Sequence, residues 1–233
     1  MIFPIGDDQV KGGYFPLLSY TFIAINVLIF FYQASLSPSG FEQFVYTYGS
    51  IPKETMQGQD LFTLLTSMFL HGSWMHLLGN MMFLWIFADN IEATIGTGRF
   101  LIFYLLGGLA AHLGHIYFNM GSTIPTVGAS GAISAVMGAY LIMFPTSRIK
   151  MLVLIFFVRI PAFIFLAFWI VQQVTLGNQA LQSMTPETAG VAWWAHIAGF
   201  AFGVIGGLYY RVNYSPTAVA QQEARSFDRD DLL

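Results

Sequence analysis

Cysteine is absent from all 233 residues, which excludes disulfides, thiol catalysis and thiolate metal sites. Charge is almost as scarce. Asp, Glu, Lys and Arg make up 9% of the chain, against about 25% in an ordinary soluble domain. The net charge of -3 offers no basic surface, so no nucleic-acid partner is expected. No P-loop, dinucleotide fingerprint, calcium loop or internal repeat interrupts the sequence, and no cofactor is expected. What remains is apolar: 56% of residues are hydrophobic, with a mean hydropathy of +0.63. Only one lysine and two aspartates precede the first apolar run, and no small-residue cleavage site follows it. That run reads as a retained span rather than a signal peptide.

A helical span needs roughly 20 apolar residues. Six stretches qualify, at about 17–34, 74–95, 100–119, 128–144, 160–174 and 191–212. The expected fold is therefore all-α, a polytopic six-transmembrane-helix bundle over residues 17–212. A short N-terminal segment (1–16) and a polar, disordered tail (213–233) would flank it. The fifth stretch can be read in two ways. One helix running from Arg148 would bury Arg159 in hydrocarbon, at a cost of at least ~2.5–3.5 kcal/mol. Starting it near Ile160, with Pro161 in the first turn, avoids that cost and makes 149–158 an interfacial or buried connection.

With the N-terminus inside, the inner segments carry Lys11, Arg99, Arg148, Lys150, Arg159, Arg211, Arg225 and Arg229, and the outer segments carry only Lys53. The positive-inside rule therefore puts both termini on the cytoplasmic side. The long connection 35–73 is too apolar for a bare loop and is expected in or on the outer leaflet. Residues 176–190 read as a polar, flexible outer loop.

On this topology the chemistry-bearing side chains gather on one side. His71 and His76 lie at the outer start of the second span, His112 and His115 near the outer end of the third, and His196 near the outer start of the sixth. Ser130 begins the fourth from the same side. His76 and Asn80 are four residues apart and share a helix face. Gly199, Gly203 and Gly207 form a small-residue ridge, and Gly131, Ser134, Ala135 and Gly138 form another. Packed together, these ridges would bring His196 to Ser130.

A serine hydroxyl needs an adjacent base, and His196 can serve. No orienting carboxylate stands out as a third member, because Asp89 and Glu92 lie toward the inner end of the second span and Asp60 and Glu187 lie in loops; a Ser–His dyad is expected rather than a triad. The Ser130 N–H and the side chains of His76 and Asn80 would face a developing oxyanion. Each feature also has a plain structural reading. A serine among Gly and Ala serves close packing, and His76, Asn80 and His196 serve interhelical hydrogen bonds. Asn26, Gln172 and Gln173 read as structural glue or loop-edge residues. His112 and His115 have a ligand-like spacing but no carboxylate or cysteine beside them, so no metal site is expected.

The ordered motifs "HGSWMHLLGNMMFLW", "GASGA" and "AHIAGF" resemble the rhomboid intramembrane serine proteases, over about residues 17–210. The resemblance implies Ser130 as nucleophile, His196 as general base, and His76 and Asn80 as oxyanion stabilisers. It also implies a half-submerged helical first outer loop and substrate access beside the fifth span, where Trp169 lies. Phe62 and Thr63 stand where many rhomboids carry a Trp-Arg pair. The implied activity is cleavage of other proteins' transmembrane segments near the outer face of the bilayer. The alternatives are a catalytically silent rhomboid-like chaperone or scaffold, and a small transporter using the histidines. For a chain of this minimal form the expected location is a bacterial plasma membrane.

Overall fold

The computed structural model describes residues 2–8, 10, 13–182 and 190–214. The chain starts with strand β1 (Ile2–Gly6) and helix α1 (Leu17–Ser35). Short helices α2 (Pro38–Tyr48), α3 (Pro52–Met56) and α4 (Thr63–Thr66) and a 3-10 turn at Ser67–Phe69 fill the long first connection. Then come α5 (Trp74–Ile95), α6 (Thr97–Phe118), α7 (Ser130–Met143), strands β2 (Arg148–Val153) and β3 (Phe156–Pro161), α8 (Ala162–Gln182) and α9 (Trp193–Asn213). Among the described residues, α1, α5, α6, α7, α8 and α9 thus stand where apolar stretches were read. Among the described residues α1, α6 and α8 are long and apolar enough, by length and composition, to cross a membrane; α7 is a shorter apolar helix.

The helix ends have identifiable causes. Ser37 caps α2 by accepting from the Gly40 N–H at 3.2 Å, with Pro38 in the first turn. Ser73 caps α5 by accepting from the His76 N–H at 3.2 Å. Gly96, at φ +83°, ends α5 and lets the chain reverse directly into α6. The N-terminus of α1 is capped from another helix: Glu92 of α5 accepts from the N–H groups of Leu18 and Ser19 at 2.9 and 2.7 Å and from Ser19 Oγ at 2.7 Å.

α7 is the central rod. Every residue from Gly131 to Tyr140 is buried, as a helix surrounded on all sides requires. Its closest neighbour is α9. A methyl placed on Gly199 would meet the Gly131 carbonyl oxygen, one on Gly203 that of Ala135, and one on Gly138 that of Phe200. The two small-residue ridges therefore do meet, backbone against backbone.

The fold is mostly helical, as expected, but not purely all-α. β1, β2 and β3 make a three-stranded antiparallel sheet in that order, with Phe3 opposite Leu152 and Lys150 opposite Arg159. Ile149 and Met151 point into the core while Arg148 and Lys150 face outward, a period of two. Beyond them "LVLIFFV" is apolar on both faces, which hides the alternation in the sequence. The connection 149–158 is thus most of a hairpin, α8 begins after Pro161 rather than at Ile160, and residues 2–6 of the N-terminal segment form a strand. The sheet is tied to the bundle through Asp7, whose carboxylate is buried and accepts from Asn90 Nδ2 at 2.6 Å and from the Tyr140 hydroxyl.

Two loop expectations also change. α8 continues to Gln182, so 176–182 is helix; residues 183–189 lie outside the described residues. The expected tail lies, from residue 215, outside them too.

Candidate active site

Ser130 is the first residue of α7, and the first-turn N–H groups of a helix point out of its N-terminus with the positive end of the dipole. Its Oγ lies 2.8 Å from Nε2 of His196, in the first turn of α9. Because α7 and α9 touch through glycines, a short serine and an imidazole can span the gap. Ser134, one turn along, donates from Oγ to the Ser130 carbonyl at 2.6 Å.

The other imidazole nitrogen is also engaged. His196 Nδ1 lies 2.8 Å from Oε1 of Gln173, which is on α8 and 5% exposed. Sequence reasoning left Gln173 as structural glue. The available signal was a buried-side amide among Leu166, Trp169 and Gly177 on an otherwise apolar stripe. Trp169 and Trp193 flank the His196 ring, at centroid distances of 6.0 and 6.3 Å.

His76 and Asn80, one turn apart on α5, converge on Gly128, two residues before Ser130. A Cβ at Gly128 would lie 2.7 Å from His76 Nε2 and 3.6 Å from Asn80 Nδ2. Gly128 also has φ +129°, a conformation side chains disfavour, and its N–H donates to the Ser67 carbonyl at 2.8 Å. Only glycine combines that backbone with open space before the helix start. Asn80 Nδ2 is buried without a hydrogen-bond partner. Such an orphan donor costs about 1–3 kcal/mol, which an incoming oxygen would offset.

The remaining histidines go elsewhere. His112 Nε2 meets Ser67 Oγ at 3.1 Å, and His115 Nε2 meets Thr126 Oγ1 at 2.9 Å. The i,i+3 pair is thus split between two hydroxyl partners. His71 is fully buried, its ring 5.1 Å from that of His76. Burial, with His76 beside it, pushes its pKa down to about 3, so it stays uncharged. Gln33 holds its backbone on both sides, accepting from the His71 N–H at 3.1 Å and donating to its carbonyl at 3.3 Å. Ser50 and Thr126 exchange backbone hydrogen bonds at 3.0 and 2.8 Å, tying the first connection to the segment that leads into Ser130. A small cavity lined by Met68, His112, Thr126, Gly128 and Ala195 opens beside Ser130.

The fold is therefore an apolar helical bundle in which a hydroxyl and an imidazole from two touching helices are hydrogen-bonded. The Rhomboid domain family matches residues 58–213, and the chain belongs to the rhomboid family. Rhomboid protease GluP of Bacillus subtilis is 32% identical over 126 residues, 54% of this chain and 24% of that protein. Rhomboid protein 1, mitochondrial, of Saccharomyces cerevisiae is 26% identical over 207 residues, 82% of this chain and 53% of that protein. The human presenilin-associated rhomboid-like protein, mitochondrial, is 30% identical over 152 residues, 60% of this chain and 36% of that protein. The chain spans between about a quarter and about half of the length of these relatives. Bacterial and mitochondrial proteins stand side by side among them, so the expectation of a bacterial plasma membrane finds no support.

Proposed function

We propose that this chain is an intramembrane serine endopeptidase that cleaves transmembrane segments of other membrane proteins near the outer face of the bilayer. One observation carries the reading: the 2.8 Å contact between Ser130 Oγ and His196 Nε2. Six crossing helices with both termini on the cytoplasmic side are supported by the distribution of Lys and Arg. They are also supported by outward-facing apolar residues such as Leu28, Phe168 and Ile205.

Substrate unwinds locally, comes in past α8 and presents a carbonyl to Ser130. Oγ bonds to the carbonyl carbon while its proton passes to His196 Nε2. The oxyanion faces the Ser130 N–H, Asn80 Nδ2 and His76. The C–N bond breaks, and His196 returns the proton to the leaving amine. Water then attacks the acyl ester, giving one proton to His196, and the carboxylic product departs as that proton returns to Oγ.

The test is fluorophosphonate labelling of the protein in liposomes, joined to mass spectrometry of fragments from co-reconstituted single-pass proteins. Labelling at Ser130 with cleavage inside the membrane segment is the expected result. A folded protein that neither labels nor cleaves would favour a silent scaffold or a small transporter.

A further inference from the structure

We propose that Gln173 is a positioning residue for His196, fixing from α8 which imidazole nitrogen carries the proton. This rests on the serine-protease reading above. An amide oxygen can only accept a hydrogen bond. With Gln173 Oε1 at 2.8 Å, Nδ1 therefore carries the ring proton, and the lone pair on Nε2 faces Ser130 Oγ, also at 2.8 Å. That is the tautomer a general base needs; the other would turn an N–H toward the hydroxyl.

The placement argues against simple glue. The buried residues of α8 are Ala162, Leu166, Gln173 and Gly177, a single stripe in which Gln173 is the only polar member. Gln172, next to it, is exposed. A buried amide in an apolar stripe is costly unless a partner is held ready for it. The partner here is the one nitrogen of His196 that Ser130 does not use. Neither Asp89 nor Glu92 can do this work, because Asp89 accepts from the Asn90 N–H and Glu92 caps α1. The arrangement runs across three helices: hydroxyl on α7, base on α9, orienting oxygen on α8.

The experiment compares wild type, Gln173→Met and Gln173→Glu in liposomes. Met keeps length and packing but is a weak acceptor; Glu keeps an acceptor oxygen. Fluorophosphonate labelling of Ser130 should slow about tenfold in Gln173→Met, the scale of one lost oriented hydrogen bond, and Gln173→Glu should recover most of the loss. With a cleavable transmembrane substrate, the Met variant should lose kcat with KM unchanged. Nitrogen-15 NMR of histidine-labelled wild type should show His196 protonated on Nδ1 and bare on Nε2, a reading that needs no variant to fold. Wild-type labelling rates in Gln173→Met, or a proton on Nε2, would overturn the role of Gln173 while leaving the serine reading in place. Absence of Ser130 labelling in folded wild type would overturn both.

Discussion

Gly203 of α9 rests against the carbonyl oxygen of Ala135 in α7. That backbone contact, one turn beyond Gly199 on Gly131, sets how far apart Ser130 and His196 stand. Gly203→Leu should force the helices apart, costing about 1–3 kcal/mol by overpacking, and should slow fluorophosphonate labelling of Ser130. Thermal unfolding in detergent and labelling kinetics on one preparation check both halves. Full labelling with normal stability would mean that something other than the ridge holds the pair.

Ser130→Ala and His196→Ala should each abolish cleavage of a transmembrane substrate while helical content and unfolding temperature stay near those of the parent. Circular dichroism and gel-based cleavage on one preparation separate loss of chemistry from loss of fold. Activity surviving in either variant would refute the dyad.

Asn80→Ala removes the orphan donor near Ser130. Loss of one oxyanion donor typically lowers kcat by about 100- to 1000-fold, with less effect on KM. His76→Ala should act in the same direction. Unchanged kcat in both would remove them from the mechanism.

Gly128→Ala should be harsher than its single carbon suggests. The new methyl would sit 2.7 Å from the His76 ring, on a backbone at φ +129°. We expect reduced kcat and a lowered unfolding temperature. Wild-type values for both would show that the loop before α7 relaxes freely.

At the opposite end of the bundle, Tyr140→Phe deletes one donor to the buried Asp7 carboxylate. Hydrogen bonds to charged groups contribute about 1.5–3 kcal/mol, so the unfolding temperature should fall while Ser130 labelling is unchanged. A labelling defect would mean that the two ends are coupled.

The long helices and the Ser130–His196 contact were legible because each rests on a short local pattern. Apolar length marked the long helices, and glycine at every fourth residue marked the face on which α9 meets α7. Ser130, His196, His76 and Asn80 were singled out by their shared position near one end of the apolar stretches. What escaped depends on contacts between distant segments. The hairpin at 148–161 was hidden because its strands are apolar on both faces near the turn. The Glu92 cap on α1 and the Asp7 anchor join residues more than 70 positions apart, and nothing local announces them. Gln173 escaped for the opposite reason: an amide on an apolar helix looks like packing until its partner is seen.

The pairing of β1 with β2 carries an implication for biogenesis. Phe3 finds its neighbour at Leu152, after α1, α5, α6 and α7 have all been made. Residues 2–6 must therefore wait, unpaired, while the four long helices that separate them from β2 are made. They act as a latch that closes only once β2 has been made, and a product truncated before Arg148, lacking the strand they clasp, would display them to quality control.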